Sequence, residues 1–518
     1  MKRSKAERRA ERKRRMQLGQ RRIQYRLRDR DWENQPRPML RGRNIRYEIA
    51  ERDRGIACGG IGLIHRMALE LKVPERINDG LKLLKLHLPY WESDHVLNIA
   101  YNALMDGTCL EDIELRRQDE VFLDALGAQR IPDPTTAGDF CRRFKEEDVE
   151  RLMAVLNQTR LEVWQKQPKE FFEEAFIDAD GTLAPTLGEC KEGMDISYKG
   201  DWGYHPLVVS LANTREPLFL VNRSGNRPSH EGAPEYFDHA VALTQKAGFR
   251  KITLRGDTDF SLTRHFDFWD DDRVRFIFGF DAIAQLKAKA AELPEIQWRR
   301  LERPRKYERK SETRSRPENV KARIVKERQF ESIRLEAEDV AEFSYQPSHS
   351  DRPYRMVVTR KNLTVSKGER ELFDDIRYFF YVTNDLKTDA GEIVLLANAR
   401  CDQENLIEQL KNGVRALRMP VDNLVSNWAY MVMASLAWSL KAWCALELPE
   451  KGRWKEKYKA QKQALVRMEF KKFVNAFVRI PALVVKTGRR IILRLLSWNP
   501  YQQVFLRAVD RLEHPLRC

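Results

Sequence analysis

The sequence predicts an α/β protein, with a helical region ahead of the α/β core and a mostly β insertion inside it. Three observations carry that expectation. Between about residues 171 and 280, short extended apolar runs alternate with a helical segment, the rhythm of an α/β core. Ahead of it, apolar residues recur at three- and four-residue spacings, as amphipathic helices require. From about 285 to 390 the rhythm breaks, and β-leaning runs such as Arg355-Met-Val-Val-Thr359 and Tyr378-Phe-Phe-Tyr-Val-Thr383 take over.

In chain order, residues 1–49 form an arginine- and lysine-rich arm with almost no aliphatic periodicity. It is expected to be flexible, and to serve as a DNA-contacting arm that orders on binding. Residues 50–170 read as helical, with apolar stripes at 61–71 and 95–105. Pro132-Asp-Pro-Thr-Thr136 offers a proline-bounded turn with capping threonines, and a short helix with adjacent Arg142 and Arg143 follows. Such a helical unit with a basic face fits DNA binding, although a generic helical subdomain has the same pattern. Strands are expected at 176–180, 207–211, 218–221, 252–255 and 274–280, with a helix at 234–247. The core's first part is therefore 171–284, and the insertion, which includes a charged segment at 299–323, is 285–390. Residues 391–450 return to a helical pattern, and 451–518 read as a basic, mainly helical tail. No internal repeat is visible.

Length and composition bound the class. At 518 residues the chain is long enough for two to four units, and 42% hydrophobic residues suffice for buried cores. A formal charge of +16 and a pI of about 9.4 favour polyanionic partners, nucleic acid first. A mean hydropathy of -0.61 with 33% charged residues argues for a soluble protein. No apolar stretch is expected to span a bilayer; the best, residues 428–440, is short and followed by Lys441, which suits a buried core helix. The seven cysteines are scattered without a Cys-x-x-Cys pair, as in reduced cytosolic proteins, and offer no zinc spacing. There is no Gly-x4-Gly-Lys-Ser/Thr loop, His-Glu-x-x-His pair or nucleophile elbow, which argues against a nucleotide-hydrolysing motor.

Three acidic residues in separate contexts supply the candidate chemistry. Asp180 follows the extended run Glu174-Ala-Phe-Ile-Asp178-Ala179, and Asp257 follows Ile252-Thr-Leu-Arg-Gly256. Glu404 sits in the helical pattern Arg400-Cys-Asp-Gln-Glu404-Asn-Leu-Ile-Glu408-Gln-Leu-Lys411. Carboxylates from separate elements can converge on two divalent ions about 3.5–4 Å apart, the arrangement that phosphodiester chemistry uses. Asp178 shares a strand face with Asp180 and stands as an alternative or additional ligand. Asp180 is favoured because Gly181-Thr182 behind it allows close approach of a metal or phosphate. Arg400, Glu404, Glu408 and Lys411 fall at helical spacing and are expected to line one face. Each feature also has a plain structural explanation, a turn aspartate or a salt-bridged helix face.

Taken together, these residues resemble bacterial insertion-sequence transposases of the DDE type, on the branch with a Tyr-x2-Arg-x3-Glu-x6-Lys signature. Arg400, Glu404 and Lys411 match its spacing, while Ala397 stands at the tyrosine position. Asp178-x-Asp180-x-Thr182, Gly203-Tyr-His-Pro-Leu207, Arg223-Ser-Gly-Asn-Arg-Pro228, Arg255-Gly-Asp-x-x-Phe260 and Ser426-Asn-Trp-Ala-Tyr430 also match, as does the run from Pro134 to Phe144. The resemblance spans roughly residues 55–490. It implies an RNase-H-like core split between 171–284 and 391–450 and an N-terminal helical DNA-binding region.

The resemblance further implies Asp180, Asp257 and Glu404 as catalytic ligands of two Mg²⁺ ions (or Mn²⁺), with Arg400 and Lys411 on DNA phosphates. Water would cut at the transposon ends, and the freed 3′-OH would then join to target DNA. The implied partners are terminal inverted repeats and target duplex, the implied assembly a homodimer at synapsis, and the implied location the bacterial cytoplasm at the nucleoid. A structure-specific nuclease on the same fold, or a catalytically retired DNA-binding relative, is the alternative.

Overall fold

The computed structural model describes residues 5–28, 45–49, 53–87, 89–303, 319–367, 370–487 and 490–513. The chain forms two compact units. One comprises 1–167, 188–192 and 408–518, the other 168–187 and 193–407.

The first unit is mainly helical around one long apolar helix. Leu424–Leu446 is capped by Asn423, whose side chain accepts the Ser426 N–H at 2.8 Å. By length and composition it is long and apolar enough to cross a membrane, longer than the sequence run suggested, yet it is buried from Ser426 to Leu446. Helices Glu92–Leu104 and Glu146–Gln165 pack against it. Lys441, buried near its C-terminal end, is tolerated because the ammonium lies 3.8 Å over the Trp438 ring and donates to the Val466 carbonyl at 2.8 Å. The turn at Pro132–Thr136 does start a helix, Pro134–Arg142, but its cap is Asp133 rather than a threonine. The Asp133 carboxylate accepts both the N–H and the hydroxyl of Thr136, leaving proline at the first turn where no N–H is needed.

Both ends of the chain differ from expectation. Of the N-terminal arm, residues 1–4 and 29–44 lie outside the described residues, but Lys5–Arg26 is a 22-residue helix. It rests on the C-terminal segment, with Arg12 paired to Asp510 and Gly19 against Trp498. The tail carries the expected helices, Lys455–Val466 and Gln502–Glu513 among them, but it also holds two strands outside that expectation. Strands Ala482–Thr487 and Arg490–Leu495 form a hairpin whose first strand also pairs with Gly55–Ile56. The β-branched pairs Val484-Val485 and Ile491-Ile492, one in each strand, outweigh the run of cations.

The second unit is an α/β layer structure built on a nine-stranded mixed sheet. Its strands in chain order are β1 (Glu174–Gly181), β2 (Leu207–Leu211), β3 (Glu216–Val221), β4 (Lys251–Gly256), β5 (Arg275–Phe280), β6 (Arg299–Arg300), β7 (Glu331–Tyr345), β8 (Tyr354–Lys367) and β9 (Arg370–Thr383). The spatial order is β6-β7-β8-β9-β5-β4-β1-β2-β3. β1, β4 and β5 are mutually parallel, and every other pairing is antiparallel. The strands of the insertion thus extend the same sheet, through β9 paired to β5. The central segment of its charged stretch, 304–318, lies outside the described residues.

Each face has its own cover. Helix α1 (Ala233–Ala247) and the short α2 (Phe266–Asp271) cover one face, where Phe237, Trp269, Phe276 and Phe278 form an aromatic cluster. On the other, Ile277, Val340 and Val357 pack with Ala390, Ile393 and Val394 of α3 (Ala390–Asn398). Strand residues two apart share a face, so this second face also carries the row Ser210, Asp178, Arg255 and Ile277 across four strands. The acidic residues of interest lie on that side.

Candidate active site

The register of β1 and β4 decides which acids meet. Asp178 is aligned with Arg255, and two residues farther along each parallel strand stand Asp180 and Asp257. Two rows of charge result on one sheet face, at the carboxyl ends of neighbouring parallel strands, where open α/β sheets collect ligands.

The inner row is closed. Arg255 donates from Nε to Asp178 Oδ1 at 2.7 Å and from Nη2 to Oδ2 at 2.9 Å, and both side chains are almost wholly buried. Its Nη1 reaches the Leu396 carbonyl on α3 at 2.9 Å, and its guanidinium lies over the Phe176 ring. Burial pushes the Asp178 carboxyl up while Arg255 pulls it back. Both Asp178 oxygens are therefore committed to Arg255, and the group ties β1, β4 and α3 together.

The outer row is open. Asp180 is half-buried at the end of β1, beside Gly181. A Cβ at Gly181 would lie 2.9 Å from His205 Nε2 and 3.1 Å from the Ser229 backbone, so any side chain here would have to push His205 or Ser229 aside. Asp257 leaves β4 in extended conformation and caps the turn Thr258–Phe260, accepting the Asp259 N–H at 3.1 Å. A Cβ at Gly256 would come within 2.5 Å of Phe260, which makes glycine the residue that permits this turn.

Glu404 is on α4 (Cys401–Glu408), exposed and facing solvent, with its helix anchored by the residue before it. The buried Gln403 donates to the Val208 carbonyl at 2.9 Å and accepts the Ser210 hydroxyl, both on β2 beside β1. Arg400 is not on the glutamate helix. It sits in a break between α3 and α4, where bonds run from Arg400 N–H to Ala397 and from Gln403 N–H to Arg400. The tighter turn brings its Nη1 to 3.3 Å from Asp180 Oδ2. Nor does the expected stripe continue to Lys411. A wide π-type turn, Gln409–Gly413, follows Glu408, so the periodicity that would align Lys411 with Glu404 is broken, and Lys411 falls in the first unit.

Burial pushes Asp180 up to about 7; Arg400 pulls against that rise, and Asp257 and Glu404 add to it. Burial likewise raises Asp257, with Arg400 again opposing and Asp259 adding. Asp180, Asp257, Glu404 and Arg400 thus share one electrostatic site. Among the described residues, no three carboxylate, histidine or cysteine side chains are drawn tightly enough together to hold a metal ion. The donor chemistry nonetheless fits a hard divalent cation: these are carboxylate oxygens whose charges repel one another, with Arg400 opposing the rise in Asp180 and Asp257.

A stability consequence follows from Asp180. A carboxyl raised from 3.8 to about 7 binds its proton more tightly in the folded chain than in the unfolded one. Its contribution is full below pH 3.8 and is lost as pH rises through 7. Asp180→Asn is therefore expected to stabilise the protein by about 1–3 kcal/mol at pH 8, with the gain shrinking at pH 5. Urea unfolding at both pH values checks this; equal pH dependence in variant and parent would refute it.

Sequence reasoning missed Arg255 and Gln403 as organisers of the site. The i, i+2 spacing of Asp178 and Asp180 hinted that one carboxylate needs a partner, but nothing in sequence marked Arg255 as that partner.

Fold and site define a class: an α/β protein whose acidic residues gather at the carboxyl ends of adjacent parallel strands. The chain belongs to the family described as Transposase DDE domain group 1, whose model matches residues 58–516. It is thus a DDE-type transposase by family. A piggyBac transposase, solved by cryo-EM as a synaptic complex with hairpin DNA, is similar over 82% of this chain and 84% of that one, at 12% identity and a TM-score of 0.33. No curated protein matches the sequence.

Proposed function

We propose that this transposase binds the ends of an insertion sequence, cleaves the DNA with divalent-ion help and joins the freed 3′-OH ends to target DNA. The observation that carries the reading is the pairing of Asp180 and Asp257 at neighbouring strand ends, with Glu404 close enough to raise Asp180. The strand order β3-β2-β1-β4-β5, antiparallel through β1 and parallel beyond it, supports an RNase-H-like core.

Asp180, Asp257 and Glu404 would hold the ions, two Mg²⁺ or Mn²⁺. Bound there, they would polarise the scissile phosphate and neutralise charge that builds on the attacking and leaving oxygens. Asp178 is left out of that set, because Arg255 takes both its oxygens. The Arg400 guanidinium offers a phosphate a forked, permanently charged donor. Lys411 remains a proposed phosphate contact on the strength of its signature spacing alone. The net charge of +16 supports duplex DNA as the partner. A homodimer at synapsis and a bacterial cytoplasmic setting complete the proposal.

The test is a strand-transfer assay with the full chain, DNA carrying the element's ends, and Mg²⁺ or Mn²⁺. Joined products are expected. Cutting without joining would favour a structure-specific nuclease on this fold, and binding without cutting a retired relative.

A further inference from the structure

Arg400 lies in the acidic site itself. Its Nη1 is 3.3 Å from Asp180 Oδ2, and the two side chains are only 17% and 16% exposed. Its charge also acts on Asp257, opposing the rise that burial causes there. The backbone that carries it is fixed by the break between α3 and α4, and the side chain points back to the end of β1.

A guanidinium against Asp180 Oδ2 stands where a small hard cation, which demands close octahedral oxygens, would approach that oxygen, and so hinders its binding there. A permanent positive charge in a half-buried pocket also repels an incoming cation, and arginine cannot lose its proton to relieve this. The one group that competes well for a guanidinium against a carboxylate is a phosphate, which fits the same planar fork.

We propose that Arg400 is a placeholder: it occupies Asp180 until a DNA phosphate draws it away, so that divalent ions bind strongly only when DNA is present. This rests on the metal-dependent transposase reading above and adds an order of binding to it. The coupling is reciprocal, so that whatever DNA adds to ion affinity, ions add to DNA affinity.

Mn²⁺ binding to the intact chain, followed by electron paramagnetic resonance with and without a short duplex, tests the proposal. Arg400→Met keeps the apolar stem but removes the charge and adds no oxygen ligand. It should bind Mn²⁺ about tenfold more tightly than the parent in the absence of DNA. Duplex should tighten Mn²⁺ binding in the variant less than in the parent, because in the variant it brings phosphate oxygens but has no guanidinium to displace. Arg400→Lys, which keeps a charge, should stay near the parent, and Arg400→Ala repeats the measurement should the methionine variant lose its fold. Asp257→Asn reports on the ion site independently. If it weakens Mn²⁺ binding while removal of the Arg400 charge has no effect or weakens it too, the placeholder is overturned and the metal site stands. If Asp257→Asn binds Mn²⁺ as the parent does, the metal reading fails and the placeholder falls with it.

Discussion

Replacing Asp180, Asp257 or Glu404 singly by alanine is expected to reduce strand cleavage by about a thousandfold or more while duplex binding changes little. The two readouts separate because they draw on different parts of the molecule. On the proposed mechanism, affinity for duplex would come mainly from cations spread over a chain of net charge +16, whereas the three carboxylates would act on charge that develops only as the phosphodiester bond is broken. Asp257 needs a second variant, because its carboxylate also accepts the Asp259 N–H that starts the next turn. Asp257→Asn retains an acceptor for that bond and isolates the loss of charge. A cleavage assay beside a gel-shift assay decides the matter. Full-rate cutting by the Glu404→Ala protein would transfer the role to Glu408, one turn along the same helix. Parallel loss of binding and cutting in all three variants would mean that the site is part of the DNA-binding surface and not the place of chemistry.

How far the sequence could be read depended on the range of the interaction involved. The core strands were visible because each is a short apolar run bounded by polar turns, and β1, β2, β4 and β5 lie within two residues of the expected positions. That Asp180 and Asp257 each end such a run was equally visible. That their strands are neighbours in parallel register, with Asp178 opposite Arg255, is a long-range fact with no local signature. The Arg400–Lys411 stripe failed for a different reason. The spacing assumed one uninterrupted α-helix, but no glycine or proline marks the tight break at Ala399–Arg400, and the wide turn at Gln409–Gly413 has a glycine only at its last residue, beyond Lys411. The C-terminal hairpin did have a signal, in Val484-Val485 and Ile491-Ile492 on either side of Thr487-Gly488. The surrounding lysines and arginines, and the helices on both sides of it, hid the hairpin within a basic tail that is otherwise helical.

Breaking the inner charge row should cost more stability than any change in the outer one. Arg255→Met leaves Asp178 charged and unpartnered among buried groups, and Asp178→Ala does the same to Arg255; each is expected to destabilise the protein by about 3–5 kcal/mol. The Arg255 change also strips the Leu396 carbonyl of a donor, loosening α3 and, through it, the segment that positions Arg400 and Glu404. Removing both charges together, as in Asp178→Leu with Arg255→Met, takes away the desolvation penalty as well as the attraction. The double variant should therefore be far less destabilised than the sum of the singles, a coupling that denaturant unfolding of all four proteins would measure. This cycle also settles the standing of Asp178 relative to Asp180. If Asp178 is a strut, its alanine variant unfolds early, whereas the Asp180→Asn protein is more stable than the parent at pH 8. A stable Asp178→Ala protein that binds DNA but no longer binds Mn²⁺ would reverse the assignment and make Asp178 the ligand on β1.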